Sequence, residues 1–165
     1  MNKAVQSARS LAAEELDKES RRCNIIIHSV RESPADNAEE RTVHDKRYCM
    51  QLLNDLNVGI IEEDVKKIMR LGRFEAPESS RPIMIQFGNR NVKNLVMESL
   101  YKIKHLDSKF KSVSHDLTRK EREEYNELAE EAKLKTQQDP SGDWVYQVRG
   151  PRGKNDHSEI PERRF

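Results

Sequence analysis

Cys23-Asn-Ile-Ile-Ile-His-Ser-Val30 and Arg81-Pro-Ile-Met-Ile-Gln-Phe87 lie about fifty residues apart, and each has the composition of a buried strand. The consecutive isoleucines of the first run are stiff at χ1 and suit a pleated surface covered on both faces. In the second run Ile83 and Ile85 share one face while Met84 and Gln86 share the other. Between the two, Val43, Cys49, Met50, Leu52, Leu53 and Leu56 recur at helical spacing from Arg41 to Leu56, and Gly59 lies just beyond. Glu62-Glu63-Asp64 has the carboxylates of a helical start, and Ile68-Met-Arg-Leu71 reads as a short strand before a connector that contains Pro77. Beyond Phe87, Asn89 can cap a helix with Val92, Leu95, Val96, Leu100 and Ile103 as its apolar stripe. Phe110, Val113 and Leu117 complete a last strand.

The resulting order is strand, helix, strand, strand, helix, strand, a β-α-β-β-α-β sandwich of the α+β class. A ferredoxin-like or RNA recognition motif arrangement of this kind has helices on one sheet face and leaves the other open. We assign it residues 21–117. Residues 1–20 read as a helical extension, with Val5, Ala8, Ala12 and Leu16 at three- and four-residue steps, a stripe too weak for a self-sufficient coiled coil and open to two readings, a loosely helical extension or the tail of a longer coiled coil. Residues 118–154 read as a small helix-plus-hairpin domain. Thr118 and Glu121 have capping-box spacing, Tyr125, Leu128, Ala129 and Ala132 share a face, and Trp144 to Val148 alternates. Residues 155–165 have no core-forming pattern and are expected to be disordered.

Charged residues make up 36% of the chain and aromatics 5%, so the core must be small and aliphatic. The net charge of +1 conceals an uneven distribution. Residues 64–117 carry 11 Lys and Arg against 6 Asp and Glu, whereas both flanks are mildly acidic. A basic surplus of that kind attracts phosphate even on a nearly neutral chain. Arg70 and Arg73 bracket the end of the second strand, Arg81 opens the third, and Lys102, Lys104, Lys109 and Lys111 approach the fourth. Arg21 and Arg22 precede the first. Arg149, Arg152 and Lys154 form a second basic group beside Trp144 and Tyr146, although a lone tryptophan in a small unit is more often used for packing.

Enzymatic chemistry is not expected. The sequence has no phosphate-binding loop, no nucleophile elbow, no HExxH pair and no dinucleotide fingerprint. Cys23 and Cys49 are the only cysteines and do not form a CxxC, and the five histidines are scattered, so no metal or other cofactor is expected. Two unpatterned thiols, no secretory leader and no run of apolar residues long enough for a membrane span point to the cytoplasm or nucleus.

Several segments taken together resemble the first-open-reading-frame protein of LINE-type non-LTR retrotransposons. They are residues 21–33, Ile68-Met-Arg-Leu-Gly-Arg73, residues 81–87, Ser114-His-Asp-Leu-Thr-Arg-Lys-Glu-Arg122 and Val148-Arg-Gly-Pro-Arg-Gly153. The resemblance implies a trimeric coiled coil, a non-standard RNA recognition motif and a small C-terminal domain. It further implies single-stranded RNA or DNA binding with little sequence preference, nucleic-acid chaperone activity and a place in a retrotransposon ribonucleoprotein. The family's basic positions fall on Arg70, Arg73, Arg81 and Arg149. This chain departs from the family in lacking a long heptad array, as a truncated copy would. The positions that carry stacking aromatics in a typical RNA recognition motif hold Ile26, Pro82 and Met84, so phosphate contacts rather than base stacking are expected. The competing expectation is a protein-interaction or oligomerisation module that binds no nucleic acid.

Overall fold

The computed structural model describes residues 3–76, 79–100, 112–140, 144–148 and 162–163. They fall into two compact units, one formed by residues 15–116 and the other by residues 1–14 with 117–165. Helix α1 spans Lys3–Arg21.

In the unit of residues 15–116, β1 is Asn24–His28, α2 Ala38–Asp55, β2 Val65–Arg70, β3 Ile83–Phe87, α3 Arg90–Ser99 and β4 Ser112–His115. A single 3-10 turn, Glu62–Asp64, leads into β2. The strands form one sheet in the order β2-β3-β1-β4 with every pairing antiparallel. Strand, helix, strand, strand, helix, strand therefore stands as the element order. Asn37 caps α2 by accepting from the Glu40 amide, and Asn89 caps α3 by accepting from the Val92 amide. Gly59 and Gly72 have φ of +70° and +87°, the left-handed backbone that glycine adopts without steric cost.

Period-two alternation divides the sheet residues between its faces. Ile25, Ile27, Ile83, Ile85 and Phe87 join Cys49, Leu52 and Leu53 of α2, Val96 of α3 and the loop residues Leu56 and Ile60 in the core. Asn24, Ile26, His28, Met84, Gln86, Ser112 and Ser114 alternate to the second face, with Lys67 and Met69 opposite Gln86 and Met84. That face is not bare at its centre, because Ile26 is only 6% exposed.

Two local differences from the sequence reading matter below. Strand β2 starts three residues earlier than expected and carries a bulge between Val65 and Lys67. In α3 the expected stripe is rotated: Leu95 is 43% exposed, while Lys93 is 8% exposed.

In the second unit α4 spans Arg119–Gln138, and the capping box is present, with Thr118 accepting from the Glu121 amide and Glu121 accepting from the Thr118 amide. Strand β5, Trp144–Val145, pairs with β6, Glu162–Arg163, so two residues of the segment expected to be disordered take part in a ladder. Trp144 is 37% exposed rather than packed away.

Candidate nucleic-acid interface

The arginines singled out by the sequence have different surroundings. Arg70 sits at the end of β2, opposite Ile83, with a side chain only 6% exposed. Its Nε and Nη2 donate to the two carboxylate oxygens of Asp45 on α2, at 2.9 and 2.7 Å. Its Nη1 donates to the carbonyls of Val30 and Arg81, and Nη2 donates also to that of Arg31. A guanidinium has five N–H donors, and these five bonds use all of them. Arg81 donates from Nε and Nη2 to Glu32 at 2.7 and 3.3 Å and from Nη1 to the Gly72 carbonyl. The Glu32 side chain is 1% exposed and also lies 3.8 Å from Arg70.

These four residues form a neutral buried network that ties the loop after β1 to α2 and to both ends of the β2–β3 connector. Phe74 of that connector lies under the Arg41 guanidinium at 4.3 Å and near that of Arg81 at 5.5 Å. The expectation that Arg70 and Arg81 present forked donors to phosphate does not match this placement, since their charge is neutralised internally. Arg21 is similarly engaged with Asp17 and Asp116, and Arg22 with Glu19.

Arg73 is exposed and has no hydrogen bond or ion pair among the described residues. Lys102, Lys104, Lys109, Lys111, Arg149, Arg152 and Lys154 lie outside the described residues.

A different set of cations comes together at the other end of the sheet. The bulge leaves Lys66 as the extra residue of β2, and Lys67 is set opposite Gln86 on the second face; both are exposed. Bulges of this kind re-aim side chains and are frequent beside functional sites. The Gly88 amide donates to the Asp64 carbonyl, which holds the β3–α3 turn against the start of β2. A Cβ placed on Gly88 would come within 3.3 Å of Lys66 Cε, so the lysine stem runs past this turn. Arg90 and Lys93 follow on the first turns of α3. None of Lys66, Lys67, Arg90 and Lys93 has a carboxylate partner among the described residues. The sequence reading missed this cluster. Its signal was present in Lys66-Lys67 and in Arg90-Asn-Val-Lys93, but only the hydrogen bond from Gly88 to Asp64 shows that the turn before α3 lies against the start of β2.

The thiols have no comparable arrangement. Burial pushes the Cys49 thiol up to about 12, so it remains protonated, and Cys23 is half-buried at the entry to β1. Among the described residues no group of three His, Cys, Asp or Glu could hold a metal ion, and no helix is long and apolar enough to cross a membrane. No protein-family model matches the chain, and no curated protein matches it significantly.

Proposed function

We propose that the protein binds single-stranded RNA or DNA without sequence preference, by neutralising backbone phosphates. The observation that carries this reading is the set of cations without carboxylate partners among the described residues at the bulged start of β2 and the β3–α3 turn, of which Lys67 lies on the second face of the sheet. Arg73 adds a further unpaired charge at the connector. The antiparallel order β2-β3-β1-β4 supports a ferredoxin-like sandwich of the RNA recognition motif type. Together with the sequence resemblance, this favours a ribonucleoprotein component of a LINE-type element with chaperone activity. Ile26, Met84 and Met69 supply no aromatic platform, so bases contribute little to affinity.

The test is fluorescence anisotropy of a single-stranded oligonucleotide across a salt series, with wild type and a Lys66→Glu/Lys67→Glu variant. Each phosphate contact contributes about −0.7 to the slope of log K against log salt on single strands, so losing two flattens it by about 1.4. An unchanged slope would place the nucleic acid elsewhere, and affinity independent of salt would remove the electrostatic mechanism.

A protein-interaction reading is favoured by a specific feature of α1. Val5 and Leu16, which share one face of α1 with Ala8 and Ala12, are 47% and 72% exposed, apolar surface that a second helix would cover. Light scattering decides it, because a strict monomer at all concentrations would exclude self-association through α1.

A further inference from the structure

Strand β2 is the longest of its sheet, six residues against five in β1, five in β3 and four in β4, yet it stands at the edge and pairs with β3 alone among the described residues. The Leu71 amide donates to the Pro82 carbonyl, so the backbone of Leu71 faces β3. Alternation then turns Met69 and Lys67 the same way and leaves the amides and carbonyls of Ile68 and Arg70 on the outer side, where no strand of the described residues meets them. A row of that kind is a template for another extended chain.

Between α2 and β2 runs an open groove of about 560 Å³, with Thr42 and Met50 on the helix side and Val65 and Ile68 on the strand side. Met50, Val65 and Ile68 are half-buried against the core, so each has apolar surface left over for the groove. Lys46 and Glu62, which also line it, form an ion pair that joins α2 to the turn before β2. On the second face of the sheet the same edge presents Met69, 38% exposed, and Lys67, exposed and without a carboxylate partner among the described residues. A strand laid along β2 sends alternate side chains to the two faces. Apolar ones then enter the groove, and acidic ones meet Lys67.

Lysines and a bulge also guard edge strands against unwanted pairing, but a guard needs no apolar groove alongside it. The same charges choose among occupants. Val65–Arg70 carries Lys66 and Lys67 and no acid, so a second copy paired through β2 sets like charges near one another. We propose that the outer edge of β2 takes up, by strand addition, an extended peptide of a partner protein in which apolar and acidic residues alternate. Its main chain bonds to Ile68 and Arg70, its apolar side chains fill the groove of Met50, Val65 and Ile68, and a carboxylate meets Lys67. This goes beyond the nucleic-acid reading and shares Lys67 with it, so peptide and nucleic acid compete.

The experiment uses the full chain and an end-blocked synthetic peptide of alternating valine and glutamate, about eight residues long so that it spans β2. On titration the backbone amide resonances of Ile68 and Arg70 should move and saturate, and both amides should gain protection from hydrogen exchange. The same peptide N-methylated throughout keeps its side chains but has no main-chain donor, and it should not bind. Thr42 is exposed and its hydroxyl bonds to the Ala38 carbonyl of its own helix, so Thr42→Trp fills the groove without touching the core and should weaken the peptide by roughly tenfold or more. Lys67→Glu, at an exposed position, should weaken it too and should favour a valine–lysine peptide instead. The proposal is overturned if the Ile68 and Arg70 amides do not respond, if the N-methylated peptide binds equally well, or if both variants bind as wild type does. It is overturned also if a single-stranded oligonucleotide, or a rise in protein concentration alone, moves those amides where the peptide does not, which gives the edge to nucleic acid or to a second copy. The peptide arm contains no nucleic acid, so a wild type that binds peptide but no oligonucleotide refutes the nucleic-acid reading and supports this one.

Discussion

Asp45→Ala removes the carboxylate that receives two of the five N–H donors of Arg70, in a place where the Arg70 side chain is 6% exposed. Breaking a buried pair from one side costs about 3–5 kcal/mol, because the surviving charge stays out of water. Glu32, 3.8 Å from Arg70, still offsets part of that charge, so the lower end applies, about 3 kcal/mol. For a unit of this size that lowers the melting midpoint by about 12–24 °C. Arg70→Met alone should also destabilise, since it leaves Asp45 and the carbonyls of Val30, Arg31 and Arg81 short of a donor. The pair Asp45→Ala with Arg70→Met removes both charges and should recover part of the loss, giving a coupling energy of about 1.5–3 kcal/mol. Urea unfolding of the four proteins, followed by far-ultraviolet circular dichroism, gives this cycle directly. If Asp45→Ala costs less than about 0.5 kcal/mol, the buried network is not what holds Arg70. If the folded double variant loses oligonucleotide binding, Arg70 is a contact residue after all.

Thr118 is fully buried, accepts from the Glu121 amide at the start of α4 and donates to Glu14 at 2.5 Å, so Thr118→Ala should cost about 1–2 kcal/mol, read as a lower urea midpoint. A loss below a few tenths of a kcal/mol would mean that neither bond persists in solution. The thiol of Cys49, pushed from 9.0 to about 12 by burial, binds its proton more tightly when folded than when unfolded. Its contribution is therefore complete below pH 9 and is lost as pH rises toward 12, with a limiting slope of about 1.4 kcal/mol per pH unit. Tyr48, also raised to about 12, adds in the same direction, so Cys49→Ala should flatten the alkaline decline of the urea midpoint without abolishing it. An unaltered decline in that variant would show that Cys49 does not titrate there.

The fold was legible where local chemistry and tertiary demand coincide. The isoleucine run of β1, the alternation of β3 and the caps at Asn89 and Thr118 each act within a few residues, and each appears in the structure where the sequence places it. The beginning of β2 was not legible, because the bulge at Lys66 breaks the alternation and Lys66-Lys67 gives no apolar signal. The rotation of α3 escaped for another reason. Lys93 and Leu95 flank the stripe centred on Val96, and a lysine has an apolar stem long enough to take a buried position. Sequence hydrophobicity ranks leucine inside and lysine outside, the reverse of what the packing adopts.

The candidate site was half legible, and charge pairing across distant segments explains which half. Arg70 and Arg81 meet Asp45 and Glu32, 25 and 49 residues away along the chain. Both acids belong to the acidic first third, so a tally by segment counts two internally neutralised arginines as free. Correcting for them lowers the surplus of residues 64–117 from about five to about three. Position then matters more than number. Lys66, Lys67, Arg90 and Lys93 together can neutralise up to four phosphates, which on a single strand corresponds to a salt slope of about −2.8. A measured slope near that value is accounted for by the β2 bulge and the β3–α3 turn, and a slope steeper than about −4 requires cations beyond this cluster, with Arg73 of the connector the nearest described candidate in sequence.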